Sequence, residues 1–567
     1  MDRPSILRRR RPAGDEDGFA LVTVLLTMVL LAAFSLVALQ QTITNTAASR
    51  KDQDWVAALS AAQAGLDDYV SRLNDSNGAY FTYTSTTPDP SNPAMGFSSP
   101  GVPKWATVPV AGTGTAQGRY HYDVDTSTYT GTATVTPNGN IVVVSTGSVG
   151  ARSRTLKAFV RRSGFVDFVY FTDYEVRDPL DYPAAERANA QAYCANYYGL
   201  RTPPAGFACR DIKFSGDTLS GPVHSNDTMI ICGNVTFKDV VTTMSGPVTA
   251  NGGKHYRTDT CSSTSGTTFA RPGDPERVQK VNLPSTNLGL KAETSEAASP
   301  RGCLFVGPTK IEIRGKDLRV DSDWTRSPSP GCPRDTWFPI PVNGVVYVDV
   351  VPADGTSDPN SWPATHSSKP LCTGKNSLGL PLANETDSSY PCRAGDVFVE
   401  QLGGLAANGL DGRLTISANN NLYVTNHIDY ASGTADRSFL GLIAEQFLYV
   451  WHPVKRTGTS PSTGDNLPGT VQNMRISAAL LSVNHSVMVQ NPDMGTDLGT
   501  LTVTGAITQK YRGVVGDVNL NNGQPTGYAK HYVYDQRLAY DSPPKFLNPL
   551  VSAFDAVRTA EAKPAYR

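Results

Sequence analysis

The stretch Gly18–Leu39 decides the fold, and it reads GFALVTVLLTMVLLAAFSLVAL. Its apolar run Phe19–Leu39 has 21 residues and no charge, and a helix of that length spans about 31 Å, enough to cross a bilayer core. Arg8–Arg11 lie just upstream, and basic residues flanking an anchor stay in the cytoplasm. The sequence therefore predicts a single-pass anchor with the rest of the chain exported.

Length and composition constrain the part of the chain beyond the anchor. A chain of 567 residues is too long for one core, so two or more domains are expected. The 50 glycines and 40 prolines favour short strands joined by turns. A balance of 50 basic and 51 acidic residues gives no electrostatic footprint for nucleic acid.

Cysteine usage indicates an oxidising exterior. The chain has 8 cysteines, all beyond the anchor, and an even count there favours disulfides. Short loops close at the least entropic cost, so sequential pairing is the simplest expectation. Free buried thiols are the alternative, and the absence of a CxxC pair argues against zinc. The expected pairs are Cys194 with Cys209, Cys232 with Cys261, Cys303 with Cys332, and Cys372 with Cys392.

Three interpretations compete for the N terminus. A cleaved secretory signal has a shorter apolar core and a small-residue cleavage site, whereas here Gln40 and Gln41 come after the run. A plain signal anchor fits the length and the charge. The third interpretation adds Gly18–Phe19 before the apolar helix: this junction resembles the type IV prepilin signal. That resemblance implies cleavage after Gly18, methylation of Phe19, and a helix that later packs into a filament core.

Three details refine the resemblance. Major pilins carry Glu at the fifth mature position, which here is Thr23. Lacking that carboxylate is typical of minor pilins and pseudopilins at a filament tip or at the start of assembly. The alanine-rich stretch 57–66 is similar to the helix of PilX-type minor pilins. The acidic stretch Asp15–Asp17 is less usual in such a leader.

The apolar periodicity predicts that the helix continues to residue 76, because apolar residues recur every three or four positions from Trp55 to Leu73. Residues 1–18 would then be the cytoplasmic leader and 19–76 a transmembrane and amphipathic helix. Strand candidates in 77–164 predict an antiparallel meander resembling a pilin head. These candidates are 119–124, 131–135, 141–145 and 154–160.

A weak repeat marks the large region 165–545. Its frame is an apolar residue, any two residues, Asn, any two residues, and then two apolar residues separated by any one residue. Asn tolerates the left-handed backbone of a corner between strands, and side chains stacked at such corners can bond along the stack. The corner positions are Asn226, Asn419, Glu445 and Asn484.

This repeat predicts the fold class: α+β, mainly β, with a long N-terminal helix, a small meander head and a β-helix or solenoid-like domain. An irregular β-sandwich whose strands share an Asn turn is the alternative. Residues 546–567 are set apart as a C-terminal tail.

Catalytic signatures are weak. His224 with Asp227 and His255 invites a metal or acid–base interpretation, but no HExxH, P-loop or nucleophile elbow surrounds any histidine. Tyr347 and Asp349 share a strand face but supply one carboxylate. The pair Asp321 and Asp323 falls short of a calcium ligand set. We therefore expect no enzyme, no cofactor and no resident metal.

The sequence favours a minor pilin or pseudopilin-like subunit of a type IV pilus or type II secretion-like filament. It would sit at the tip or initiate assembly, and would display an extracellular β domain at the cell surface for adhesion. Its expected partners are other pilins, the assembly machinery, the prepilin peptidase and the membrane, without nucleic acid. The alternatives are a membrane-anchored glycan-binding protein or hydrolase, and an envelope protein outside any filament.

Overall fold

The fold is known from a computed structural model of the chain. It describes residues 17–76, 79–109, 117–127, 130–132, 135–138, 140–162, 164–386, 390–431, 437–458, 463–518, 523–549 and 554–566. Residues 1–16 of the expected leader lie outside these ranges.

The chain begins with one long helix, Asp17–Asp75, of 59 residues. At the usual rise it is about 88 Å long. Its first half stands clear of the other elements, while Ala58, Leu66, Tyr69 and Leu73 are buried against the first sheet. The two halves therefore face different surroundings, as the change from an apolar run to an amphipathic pattern predicts.

The head is a five-stranded antiparallel sheet packed on the C-terminal half of the helix. In spatial order its strands are Ala106–Pro109, Gln117–Asp125, Ile141–Val149, Arg152–Arg162 and Phe554–Ala562. Shorter strands of the head are Phe97–Ser99 with Val102–Pro103 and Thr130–Thr132 with Val135–Asn138. The candidate 131–135 is thus divided between two strands of a separate hairpin.

The assignment of 546–567 as a tail needs correction. Phe554–Ala562 pairs antiparallel with Arg152–Arg162 and completes the head sheet. Asn74 at the end of the helix bonds both backbone groups of Phe554, at 2.7 and 3.1 Å. The head is therefore assembled from both ends of the chain, and the large domain is inserted between two neighbouring strands of its sheet.

The inserted domain is a coil of parallel strands in two main sheets. Within the described residues the longer sheet has fifteen strands, parallel except where Gly516–Val518 joins Pro525–Tyr534. Its strands are Tyr170–Tyr174, Thr218–Ser220, Val223–Ser225, Thr236–Phe237, Val241–Thr243, Thr268–Phe269, Glu276–Arg277, Cys303–Val306, Val345–Asp349, Arg413–Ala418, Phe439–Ala444, Arg475–Ser482, Asp497–Tyr511, Gly516–Val518 and Pro525–Tyr534.

The second sheet is formed by strands that follow the corners, as Leu422–Val424 follows Arg413–Ala418. Its parallel part ends in an antiparallel hairpin that continues the sheet at one side. In spatial order its strands are Trp337–Pro339, Asp317–Asp321, Thr309–Arg314, Val397–Gln401, Leu422–Val424, Leu448–Val450 and Val487–Val489. Two further pairs are Lys213–Phe214 with Ile230–Ile231 and Val454–Arg456 with Gly464–Asn466.

Short helices lie in the connections. They are Ala79–Thr82, Phe165–Asp167, Pro179–Asp181, Arg187–Asn189, Ala190–Cys194, Tyr198–Leu200, Thr249–Asn251, Leu288–Ala292, Leu402–Gly404, Ala406–Asn408 and Gln536–Ala539. The regular turns bury Val, Ile and Leu side chains between the sheets, with Ile416, Leu442 and Leu480 as examples. Such stacking buries apolar strand faces that a single turn could not cover alone.

The coil is wound in two directions from its middle. Tyr170–Tyr174 starts it, and the next strands extend the sheet one way as far as Glu276–Arg277. Residues 278–293, here called the strap, then carry the chain to the opposite end, where Cys303–Val306 begins the return. The return reaches Asp497–Tyr511, which pairs with Tyr170–Tyr174. The last strand, Pro525–Tyr534, then lies between Asp497–Tyr511 and Thr218–Ser220.

Candidate functional site

The N-terminal half of the helix exposes apolar side chains over several turns. Leu25, Leu31, Phe34 and Ile43 are each more than half exposed. By length and composition, within the described residues, the helix over Leu21–Asp75 is the one able to cross a membrane. Together with disulfides in the remainder, this is the arrangement of a single-pass anchor with an exported bulk.

Hydroxyl groups on this half bond to the helix itself. The side chains of Thr27, Ser35 and Thr42 donate to carbonyls three or four residues earlier, at 2.7 to 2.9 Å. Bonding of this kind satisfies donors that lipid or a packed helix bundle could not. Thr23, where the resembled family carries Glu, lies on the same exposed surface.

The expected processing site lies at the start of the helix. Gly18 and Phe19 have helical backbone, and their side chains are outside the described residues. Cleavage and methylation at this junction therefore remain predictions from the resemblance.

The helix meets the head sheet through small residues. A Cβ on Gly147 would lie 2.1 Å from the carbonyl oxygen of Ala58 and 2.2 Å from the backbone nitrogen of Ala62. The Ser145 hydroxyl donates to the Ala62 carbonyl at 2.7 Å. The alanine-rich stretch thus lets the helix backbone approach the strand within bonding distance.

A partly buried polar network holds the next turn of the helix. Tyr122 donates to Asp68 at 2.8 Å, and the Arg72 Nε donates to the same carboxylate oxygen at 2.9 Å. Burial of the phenol raises the pKa of Tyr122 well above its usual range, with the Asp68 charge adding to the effect. Because the network joins the helix to the second strand of the sheet, it fixes the rotation of the helix on the head.

The predicted Asn repeat forms a column along the coil corner, with one correction. Strand register places the residues before Asn226, Asn419 and Glu445 in one row across the sheet, and the same row includes Ser482. Val483 therefore occupies the column position and Asn484 is one residue beyond it. The reason is a longer corner: four residues separate Ser482 from Val487, and three separate Ala444 from Leu448.

Some side chains bond from one corner to the next, as expected for stacked corners. The Asn226 amide donates to Asp173 at 2.9 Å, and the Asn484 amide donates to Glu445 at 3.1 Å. The column also binds the strap, which the sequence did not predict. Asn226 exchanges two bonds with the Val281 backbone, at 2.7 and 3.0 Å.

Asn287 of the strap contacts the corner while it is fully buried. Its backbone N–H donates to Glu445 at 2.6 Å, and its amide donates to the Ala418 carbonyl at 2.7 Å. The Tyr347 hydroxyl donates to its side-chain oxygen at 3.1 Å, and Asn287 itself has no exposed surface. Corner residues of several turns are thus tied to one segment that runs along the coil.

Three of the residues considered for catalysis, His224, Tyr347 and Asp349, contact the coil corner or the strap. His224 is buried, with ring nitrogens 2.8 Å from the Thr242 hydroxyl and 3.0 Å from the Asn226 oxygen, and burial lowers its pKa to about 4. Tyr347 bonds the strap, and Asp349 forms an ion pair with Lys291 of the strap at 2.5 Å.

Asp227, the acidic residue considered together with His224, is also buried. Burial raises its pKa to about 6, against the opposing charge of Arg201. Its carboxylate accepts backbone N–H groups from Glu175 and Tyr198 at 3.0 and 2.7 Å. Among the described residues no group of three or more His, Cys, Asp and Glu side chains is placed to hold a metal ion.

The eight cysteines form four disulfides in sequential order, Cys194–Cys209, Cys232–Cys261, Cys303–Cys332 and Cys372–Cys392. Cys303–Cys332 holds a loop whose hydroxyls cap the terminal strand. Ser329 accepts the Leu304 N–H at 3.0 Å and Thr325 accepts the Val306 N–H at 2.9 Å. Capping protects a sheet edge that would otherwise offer unpaired backbone groups.

The second sheet carries an aromatic ladder that was not expected from the sequence. Phe398, Tyr423 and Tyr449 occupy one row of the parallel strands, with ring centroids 4.7 and 5.2 Å apart. Leu380 and Tyr390, from the loop closed by the last disulfide, pack on this ladder. In the sequence, the sign of this ladder is an aromatic residue between the two last apolar positions of the repeat, as at Tyr423 and Tyr449.

Comparisons with known proteins add little. No protein-family model matches the chain, and no curated protein sequence matches it. Among solved structures, the chain is similar to the competence-associated pilin ComZ from Thermus thermophilus. The match has 12% sequence identity and a TM-score of 0.25, and it covers 90% of this chain and 97% of that chain. At this identity and score, conclusions about this chain rest on its own residues.

Proposed function

We propose that this protein is a minor pilin or pseudopilin-like subunit of a type IV pilus or type II secretion-like filament. The observation that carries the proposal is the single helix Asp17–Asp75. Its first half exposes an uninterrupted apolar surface, and its second half forms the core of an antiparallel head. One rigid element can therefore be extracted from the membrane and packed among other such helices without refolding the head.

Position at the filament tip or at the start of assembly is supported by two features. Thr23 provides no carboxylate to pair the N-terminal amine of a neighbouring subunit. The inserted coil, residues 165–545, is several times larger than the head. A subunit repeated along a shaft would have to accommodate that volume at every step, whereas a terminal subunit projects it into solvent.

The coil is the part displayed outside the cell, with adhesion as the expected use. The candidates His224, Tyr347 and Asp349 bond the corner or the strap, which supports a binding or display role rather than catalysis. Its partners would be other pilins, the assembly machinery and the prepilin peptidase, with the N terminus in the cytoplasm before processing.

Mass spectrometry of the N terminus tests processing. The mature protein is expected to begin at Phe19 and to carry a methyl group on its amine. Gly18→Val should retain the leader, while Gly14→Val, a matched change within the leader, should be processed normally. A wild-type protein that still begins upstream of Phe19 in cells with an active prepilin peptidase would contradict the proposal.

Immunogold labelling of the coil tests position in the filament. Labels at one end of isolated filaments are expected. Labels along the whole shaft would replace the tip assignment with a shaft assignment, and labels confined to the membrane fraction would favour an envelope protein outside any filament.

A further inference from the structure

A lysine points into the coil from its last strand. Lys530 lies on Pro525–Tyr534 in the middle of a row whose other members, Tyr528, Tyr532 and Tyr534, belong to the buried core. The intervening Ala529 is exposed. Strand alternation therefore directs the lysine side chain to the interior, where an ammonium is costly without a partner.

Its partner is Asp217, the residue just before the neighbouring parallel strand Thr218–Ser220. Leu219 is paired with Tyr532, and the same register two residues earlier sets Asp217 beside Lys530. The Nζ of Lys530 lies 3.3 Å from the Oδ1 of Asp217, and the two side chains are 24% and 10% exposed. The other carboxylate oxygen accepts the Ser215 N–H at 3.0 Å, which orients the group.

Both residues line a small interior cavity of about 20 Å³, together with Tyr170, Tyr532 and Arg512. A space of this size holds about one water molecule. Arg512 is already bonded to Glu175 at 2.8 Å and to the Ile212 and Lys213 carbonyls at 3.2 and 3.1 Å. The lysine and Asp217 thus form a second, separate pair at the same cavity.

We propose that Lys530 and Asp217 are a modification site of the chain, joined by an intramolecular isopeptide bond between Nζ and Cγ. The ammonium first passes a proton to the carboxylate across the 3.3 Å contact. The neutral amine then attacks Cγ, the C–N bond forms, the C–OH bond breaks, and one water leaves into the cavity. Ammonium and carboxylate together yield amide and water, so no external reagent is consumed.

Three properties of the site favour this step. Burial lowers the pKa of Lys530, which increases the fraction of nucleophilic amine. The N–H of Ser215 holds the second oxygen of Asp217 at 3.0 Å, which fixes the orientation of the carboxylate beside the lysine. The fold holds the Nζ of Lys530 in contact with the Asp217 carboxylate, and groups held together in this way reach effective concentrations far above those in solution.

The bond would join two distant parts of the chain. Asp217 belongs to the part wound first, and Lys530 belongs to the strand from which the chain returns to the head. Closing them covalently would prevent the last strand from separating while the head and the coil are pulled apart. This inference is independent of the assignment to a filament, because it concerns only the interior of the coil.

Intact-mass measurement of the full-length protein, purified in detergent, then reduced and denatured, tests the proposal. Once N-terminal processing is accounted for, the wild-type mass should be lower by one water. Proteolysis should release a peptide containing Asp217 linked to one containing Lys530. Lys530→Arg, which keeps the charge, and Asp217→Ala should both show the full mass, and denaturation makes this result independent of their stability.

The pair Lys291 and Asp349 provides the matched control. Its atoms are closer, at 2.5 Å, but the lysine side chain is 47% exposed, so Lys291→Arg should leave the wild-type loss of water unchanged. A wild-type protein of full mass would overturn the proposal. So would a lost water that peptide mapping places elsewhere, for example in a succinimide at Asp354.

Discussion

The carboxylate of Glu445 accepts the backbone N–H of Asn287 at 2.6 Å, although the two residues are 158 positions apart in the chain. Glu445 takes the Asn position of the repeat, and its longer side chain reaches the strap while also accepting from Asn484. One corner residue therefore connects the strap to two successive turns of the coil.

Asn287→Ala is expected to loosen the strap. It removes bonds to the Ser417 hydroxyl and the Ala418 carbonyl and leaves the buried Tyr347 hydroxyl short of an acceptor, a loss of about 2 to 4 kcal/mol. Hydrogen exchange should become faster at residues 281–292. Asn484→Ala, which removes one half-buried bond, serves as the control and should leave this exchange nearly unchanged. Equal protection in both variants would show that the strap is held by other contacts.

Gly147→Ala is expected to displace the helix from the head. The new methyl would overlap the Ala58 carbonyl and the Ala62 nitrogen, and overpacking of this kind costs about 1 to 3 kcal/mol. Thermal unfolding and limited proteolysis near Ala58 measure the effect. Gly199→Ala, at a position where an added methyl meets nothing within 4 Å, is the matched control. Unchanged unfolding of the Gly147 variant would contradict the close approach.

Phe554→Ala tests whether the C-terminal strand belongs to the head. Phe554 is 3% exposed within the head core, and truncation of such an aromatic costs about 3 to 5 kcal/mol. The unfolding midpoint of the head should fall sharply. Thr559→Ala on the exposed part of the same strand should change it little. Comparable midpoints for the two variants would restore the description of this segment as a tail.

Asp396→Asn is expected to stabilise the protein at neutral pH. Burial raises the pKa of Asp396 to about 6, and one of its oxygens is buried with no hydrogen-bond partner among the described residues. The folded state therefore binds the proton more tightly than the unfolded state does. The stability associated with the protonated form is fully present below the unfolded pKa of about 4 and is lost as pH rises through about 6.

The expected gain for Asp396→Asn is at most about 3 kcal/mol above pH 6, falling to nearly nothing below pH 4. Urea unfolding across this range measures it. Asp354 is the control because hydrogen bonds from Arg393 and Lys369 lower its pKa, so Asp354→Asn should act with the opposite sign at neutral pH. A gain for Asp396→Asn that did not vary with pH would contradict the assignment.

Local patterns predicted those elements whose stabilising contacts are close in sequence. The apolar run and the spacing from Trp55 to Leu73 predicted the helix, and alternation predicted the meander strands around Tyr122, Val143 and Ala158. The corner frame correctly predicted three column positions, Asn226, Asn419 and Glu445, each from one strand–turn–strand unit. The frame misplaced the column position at Asn484 by one residue. One extra residue in that corner leaves the apolar pattern on both sides of it intact, so the sequence gives no sign of the shift.

The missed elements depend on distant contacts. Phe554–Ala562 alternates weakly, because its outer side is exposed, and its partner strand is about 400 residues away. The strap has no periodic pattern, since it is held by backbone groups and by a few side chains such as Asn287 and Lys291. Neither the Asn287 contacts nor the register of Lys530 with Asp217 can be derived from spacing along the chain.

The insertion of the coil between adjacent head strands has a mechanical consequence. The chain leaves the head at the end of Arg152–Arg162 and returns at the start of Phe554–Ala562, so both connections lie at the same end of one antiparallel pair. A load on the coil is shared by two strands and pulls each along its length. The hydrogen bonds to the rest of the sheet are then loaded together in shear instead of being peeled apart singly, so the attachment of the coil resists tension.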